Sequence, residues 1–137
     1  MKKLNQNHNE GRLTMKKQII GITLAVAGLL LTAQSQAAPI TKDSSGTDLT
    51  AGTSWIGGNV PTGADVATWD SSALGASLAL GSPASWAGIS VSGALSNIDI
   101  SGAGPLTLGA SGIDLSASTV NLLMGMPVAL GASQIWT

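Results

Sequence analysis

Beyond residue 37, every ionisable side chain is one of six aspartates or a single lysine: Asp43, Asp48, Asp65, Asp70, Asp99, Asp114 and Lys42. Two pairs are closely spaced. Asp43 and Asp48 flank SSGT, and Asp65 and Asp70 flank VATW. Clustered carboxylate oxygens suit calcium, and a facing pair of carboxylates suits glycoside hydrolysis. Neither stretch has the spacing of an EF-hand loop or of the glycine-rich calcium repeat. Aspartate beside Ser, Thr and Gly more commonly caps a turn with its own carboxylate, and that role is expected for these four. A serine nucleophile needs a base, and His8 lies upstream of this region. No G-x-S-x-G elbow occurs, and Lys42, the one amine side chain, falls in a polar stretch read as a flexible lead-in. A cationic lyase site would need an arginine, and Arg12 too lies upstream. GAGP, Gly102 to Pro105, reads as a turn and not as a phosphate loop. The residues therefore predict no enzyme: no catalytic residues, no metal ligands and no cofactor.

Four tryptophans remain: Trp55, Trp69, Trp86 and Trp136. Such rings can stack on sugars, but Trp55 and Trp69 stand where a ring would cover the end of a core, and that role is expected of them. One lysine against six aspartates leaves a net charge of −5 beyond residue 37. A mildly acidic surface argues against nucleic acid or anionic lipid as a partner.

The elements that must carry these residues are short. The chain of 137 residues is 44% hydrophobic, 9% charged and 3% aromatic, with 18 glycines and no cysteine. That length allows one small domain, and Gly, Ser, Thr and Ala are the vocabulary of strands and turns. At the N-terminus, Lys16 and Lys17 precede the apolar run Ile19 to Ala33, and Ser35 and Ala37 suit cleavage after Ala37. This is the pattern of a helical signal peptide, with Met15 the better start. The run is short for a membrane span, the alternative being an uncleaved N-terminal anchor, and no span is expected in the mature chain. Export brings in the Sec translocon and signal peptidase as partners. The chain divides into 1–37, signal peptide; 38–64, a polar, glycine-rich lead-in; and 65–137, a strand-repeat region.

From Leu78 onward short alternating runs recur: SLAL, GISVS, NIDIS, PLTL, GIDLS, TVNLL and PVAL. Each holds apolar residues two apart, which face one way in a strand. The leaders Ile89, Ile98, Leu106, Ile113, Val120 and Val128 follow one another in steps of 9, 8, 7, 7 and 8. Taken three at a time, Ile89 to Ile113 spans 24, while Ile98 to Val120 and Leu106 to Val128 span 22. LGAS recurs at Leu108–Ser111 and Leu130–Ser133, with a third copy at Leu74–Ser77 outside that period. Three short strands in about 22 residues predict an all-β fold, a right-handed parallel β-helix of about two to three coils. The rival is an antiparallel sandwich or meander, disfavoured by the lack of Asn-Gly and Asp-Gly turns.

The same residues carry a resemblance. GTSWIGGNVPTGADVATWD, followed by strands and then GIDLSASTVNLLMGMPVALGASQIWT, resembles the autotransporter-associated β-strand repeat proteins over residues 52 to 137. The resemblance implies a large exported protein whose right-handed β-helical passenger is displayed at, or released from, the surface of a Gram-negative-type cell, outer-membrane-associated or extracellular. It implies a structural or adhesive role, with surface glycans or other cells as contacts, and supplies no catalytic residues. Full-length members often end in an outer-membrane barrel or a sorting tail. The chain instead closes on PVALGASQIWT, with bare Ile135 and Trp136, so truncation and further coils are expected. The alternative is a stand-alone secreted or periplasmic module that binds carbohydrate or calcium.

Overall fold

The computed structural model describes residues 36–73 and 76–137. Apart from Gln36 and Ala37, the segment read as a signal peptide lies outside the described residues, as does the start of the LGAS copy at Leu74. The alternating runs form strands, separated by turns rich in Gly, Ser and Pro. They are β1 (Ala38–Thr41), β2 (Asp65–Trp69), β3 (Ser77–Ala79), β4 (Ala84–Val91), β5 (Ile98–Ser101), β6 (Leu106–Asp114), β7 (Leu122–Gly125) and β8 (Val128–Leu130). No helix among the described residues is long and apolar enough to cross a membrane.

These strands build two sheets, one in the order β1-β2-β4-β6-β8 and one in the order β3-β5-β7. Every pairing between these strands is parallel. Parallel neighbours cannot be joined by a tight turn and need a crossover. Here a strand of the other sheet is the crossover: from β2 onward the chain alternates between the two sheets. An antiparallel meander is thereby replaced by parallel rungs.

The register follows the sequence period. Val66 pairs with Gly88, Ala84 with Leu106, Ser77 with Asp99 and Leu106 with Val128, each at an offset of 22. Ile89 pairs with Ile113 at 24, as the leader spacing predicts. Ile98 does not pair with Val120, which lies outside the strands; its partner is Leu122. The cause is a bulge in the β4–β6 ladder. Trp86 pairs with Leu108 at an offset of 22 but Gly88 with Gly112 at 24, so β6 carries two more residues than β4 between these pairs. The shorter link from β7 to β8 then restores 22 at Leu106 and Val128.

Like side chains stack from rung to rung. Ala67, Ile89 and Ile113 form one ladder, and Leu78, Ile100 and Met124 another. Residues of both sheets meet in a single core that includes Trp69, Trp86, Ile89, Leu78, Ile98 and Leu106. Burying an aliphatic side chain contributes about 1.5–3 kcal/mol, so these ladders dominate the stability of a chain with so few charges. One corner shows why glycine is required. Gly102 follows β5 with φ 140°, and a Cβ there would collide with the backbone carbonyl of Leu80.

The segment read as a polar lead-in contributes a strand and a cap. β1 pairs with β2, and Asp48 bridges Ala79 in parallel, extending the second sheet. Leu49, Ser54 and Trp55 of this segment are buried. Lys42 is buried as well, at 1% exposure, which corrects its expected place in a flexible stretch. Its backbone N–H donates to the Thr68 carbonyl at 2.8 Å, so β1 carries it onto the edge of β2.

Candidate functional site

Five of the six aspartates in the described residues are turn caps. The carboxylate of Asp48 accepts the backbone N–H and hydroxyl of Thr50 at 2.8 and 2.6 Å. Asp70 accepts the same two groups of Ser72 at 2.8 and 2.5 Å, and Asp114 those of Ser116 at 2.9 and 2.6 Å. Asp43 does so with Ser45 at 2.8 and 2.9 Å. Asp65 reaches back, taking the N–H and hydroxyl of Thr62 at 2.9 and 2.6 Å. These bonds favour the charged form and hold all five carboxyls below their ordinary pKa. The hydroxyl bond is the larger cause for Asp48, Asp65, Asp70 and Asp114, and the backbone N–H bond for Asp43.

The spacing within VATW is that of a strand. A rise of about 3.3 Å per residue sets Asp65 and Asp70 roughly 16 Å apart, beyond the separation of a glycosidase pair. Asp99 lies on β5 in one sheet and Asp114 at the end of β6 in the other. Among the described residues no group of three or more His, Cys, Asp or Glu side chains gathers into a metal cradle.

Lys42 is a buried side chain that the sequence pattern concealed. Its ammonium donates to the carbonyls of Asp43 and Ser45, both at 2.8 Å. Desolvation lowers its pKa, and the adjacent Asp43 carboxylate opposes that shift. The ammonium thus ties the turn 43–45 to the first strand. The period-2 relation between Ile40 and Lys42 was the available signal, masked by the polar residues on either side.

The tryptophans are brought together. Trp55 meets Trp69 edge-on at a centroid distance of 5.7 Å and Trp86 at 5.8 Å, while Trp69 and Trp86 lie 6.2 Å apart. Edge-to-face pairs of this kind contribute about 0.5–1.5 kcal/mol beyond area burial. Trp55 is 2% exposed and donates its indole N–H to the Leu49 carbonyl at 3.0 Å. Trp55, Trp69 and Trp86 thus fill the N-terminal end of the core and offer no ring face to a sugar. Trp136 stands apart from them, half exposed, its indole N–H on the Gln134 side-chain oxygen at 2.7 Å.

Besides a hollow of about 250 Å³ lined by Ala64, Ala87, Ala110 and Ser111, two concave surfaces stand out among the described residues. One is a groove of about 410 Å³ between the segment 60–63 and the entry to β4, lined by Thr50, Pro61, Thr62, Ser82, Pro83 and Ser85. The hydroxyls of Thr50 and Thr62 donate to the carboxylates of Asp48 and Asp65, so their hydrogens are committed within the chain. The other is an apolar cleft of about 330 Å³ at the opposite end, lined by Ile113, Leu115, Leu122, Met124, Trp136 and Thr137. The sequence period does not mark the groove, which lies beside turns, whereas the cleft is built from the alternating residues Ile113, Leu122 and Met124 that it does mark. No family model matches this chain, and neither a curated protein nor a solved structure matches it.

Proposed function

We propose that the chain is an exported structural element, a right-handed parallel β-helical passenger segment of the autotransporter-associated β-strand repeat type. The observation that carries this reading is the parallel pairing of strands at a sequence offset of 22, alternating between two sheets over one shared core. Parallel crossovers within one sheet are right-handed in about 98% of cases, which gives the coil its hand. A rung adds length by repeating one pattern, which suits a stalk that projects from a surface. The carboxylates held in turns fit an outer surface of polar corners. Lys16, Lys17 and the run Ile19 to Ala33 fit export through the Sec translocon with removal by signal peptidase after Ala37. The chain then resides at the cell surface, outer-membrane-associated or extracellular, with surface glycans or other cells as its contacts and no catalytic role.

A second reading is a stand-alone secreted or periplasmic carbohydrate-binding module, favoured by the hydroxyl- and proline-lined groove at Thr50, Thr62 and Ser85. A reporter phosphatase that gains activity only after export, fused behind Thr137 in a Gram-negative host, tests the first reading. Activity that disappears when Lys16, Lys17 and the apolar run are deleted supports export. Reporter activity unchanged by that deletion, or absent from the intact fusion, contradicts it. Immobilised-glycan binding that Thr62→Ala abolishes would move the second reading ahead.

A further inference from the structure

We propose that residues 42–55 form an intramolecular plug, held by the fit of Gly46 against Ser54, that occupies the places at the N-terminal end of both sheets where a strand of another molecule would add. An open edge offers unpaired N–H and C=O groups to any extended chain, and β1 and β3 are the edge strands at this end. On β1 the Lys42 N–H donates to the Thr68 carbonyl, so Pro39, Thr41 and Asp43 turn their backbone groups away from β2. Pro39 has no N–H to offer. The Asp43 N–H is taken by the Ser54 carbonyl at 2.9 Å, and Lys42 pairs with Trp55 in the antiparallel sense. That antiparallel neighbour interrupts the parallel stacking that the strands β1 to β8 follow.

The same segment closes β3. Leu80, the residue after β3, donates to the Ser101 carbonyl on β5, so Ala79 faces the other way. The Ala79 N–H donates to the Thr47 carbonyl at 2.7 Å, and its own carbonyl accepts from the Leu49 N–H at 2.9 Å. Residues 47–49 thus fill the position of one more parallel strand beside β3. Between the two edges Leu49, Ser54 and Trp55 are buried, and Trp55 lies edge-on against Trp69 and Trp86 over the end of the core.

Side-chain bonds inside the segment join its two halves. The Ser54 hydroxyl donates to the Asp48 carbonyl at 2.5 Å and the Trp55 indole N–H to the Leu49 carbonyl at 3.0 Å, while the Lys42 ammonium fixes the turn between Asp43 and Ser45. Gly46 is where the halves come closest. Its φ is 74°, and a Cβ there would stand 2.5 Å from the Ser54 Oγ and 2.9 Å from the Ser54 Cα. The Cα cannot rotate away, so a side chain at position 46 must push residues 43–49 and 54–55 apart.

A labelled peptide of residues 42–58, added to the folded full chain, tests the plug. In an Asp48→Cys/Ala79→Cys chain a disulfide fixes the plug to β3, since parallel partners lie about 4.8 Å apart. Peptide uptake is counted as the excess over that stapled chain. In the unaltered chain the Ala79 amide should be protected from deuterium exchange, with no excess uptake. Gly46→Val should keep a β-type circular dichroism spectrum, lose the protection of Ala79 and take up peptide in an amount equal to the chain, which restores the protection. Gly46→Ala, the smaller intrusion, takes its place if Gly46→Val unfolds the whole chain. An unprotected Ala79 or excess uptake in the folded unaltered chain overturns the proposal. So does a folded variant that keeps Ala79 protected, and so does one that loses the protection yet takes up no peptide.

Discussion

Leu108 and Leu130 are register partners in one parallel ladder, yet Leu108 is fully buried and Leu130 is 61% exposed. The same residue type at the same place in the repeat thus carries different weights in adjacent rungs. Stability in this architecture follows from what lies above a side chain as much as from what lies beneath it. Leu108→Ala removes buried methyl groups between two occupied rungs and should cost about 2–5 kcal/mol. Leu130→Ala should cost less than about 1 kcal/mol in the single chain. Urea unfolding of the two variants, measured where the chain is monomeric, separates them, and equal losses would mean that the ladder is not ordered as described.

Trp55 differs from its two neighbours in one polar detail. Its indole N–H reaches the Leu49 carbonyl, while the N–H groups of Trp69 and Trp86 are buried without an acceptor. Replacing Trp55 by Phe leaves a buried carbonyl unpaired, whereas Trp86→Phe removes an unpaired donor. Trp55→Phe should therefore be more destabilising than Trp86→Phe by about 1 kcal/mol. Thermal unfolding of both variants decides the order.

The aspartate turn caps set the acid response. Asp48, Asp65, Asp70 and Asp114 titrate below the ordinary value of 3.8 in the folded chain because hydroxyl and N–H donors stabilise the carboxylate. Their stabilisation is complete above that ordinary value and is lost as pH falls through the lower folded values. The melting temperature should hold steady through the weakly acidic range and drop below the carboxylate range. Asp70→Asn should melt lower at neutral pH and show a shallower acid decline. A decline as steep as that of the unaltered chain would remove Asp70 from the account.

Gly102 combines φ 140° with a backbone carbonyl where a Cβ would sit. Gly102→Ala should cost about 2 kcal/mol or more, because the colliding atom belongs to the Leu80 backbone and cannot rotate away. Gly81, which has open space where its Cβ would stand, is the control, and Gly81→Ala should be close to neutral in the same denaturation experiment.

Much of the fold was legible in the sequence because a parallel ladder repeats its apolar residues in register. Ile89 with Ile113 and Leu106 with Val128 were readable as spacings before any coordinate. Ile98 with Leu122 was not, because the residues added to β6 shift the pairing without changing the alternation. Val120 reads like a strand leader but lies in the turn before β7. The N-terminal cap was hidden for a different reason. Lys42 and Ser54 are polar yet buried, and their segment is placed by long-range partners such as Thr68 and Ala79 that no local pattern announces. The expected turn role of the aspartates was legible, since a Ser or Thr two residues after Asp43, Asp48, Asp70 and Asp114 is itself the local signal.

The most direct measurement is cysteine cross-linking across the rungs, since the chain has no native cysteine. Neighbouring strands lie about 4.8 Å apart, within the span that a disulfide bridges. Ser85 pairs with Thr107 in one sheet and Ser77 with Asp99 in the other, both at an offset of 22. We expect Ser85→Cys/Thr107→Cys and Ser77→Cys/Asp99→Cys each to oxidise to an intramolecular disulfide in the native chain while the β-type spectrum is retained. If neither pair cross-links in a folded chain, this parallel register is wrong and the coil proposed from it falls.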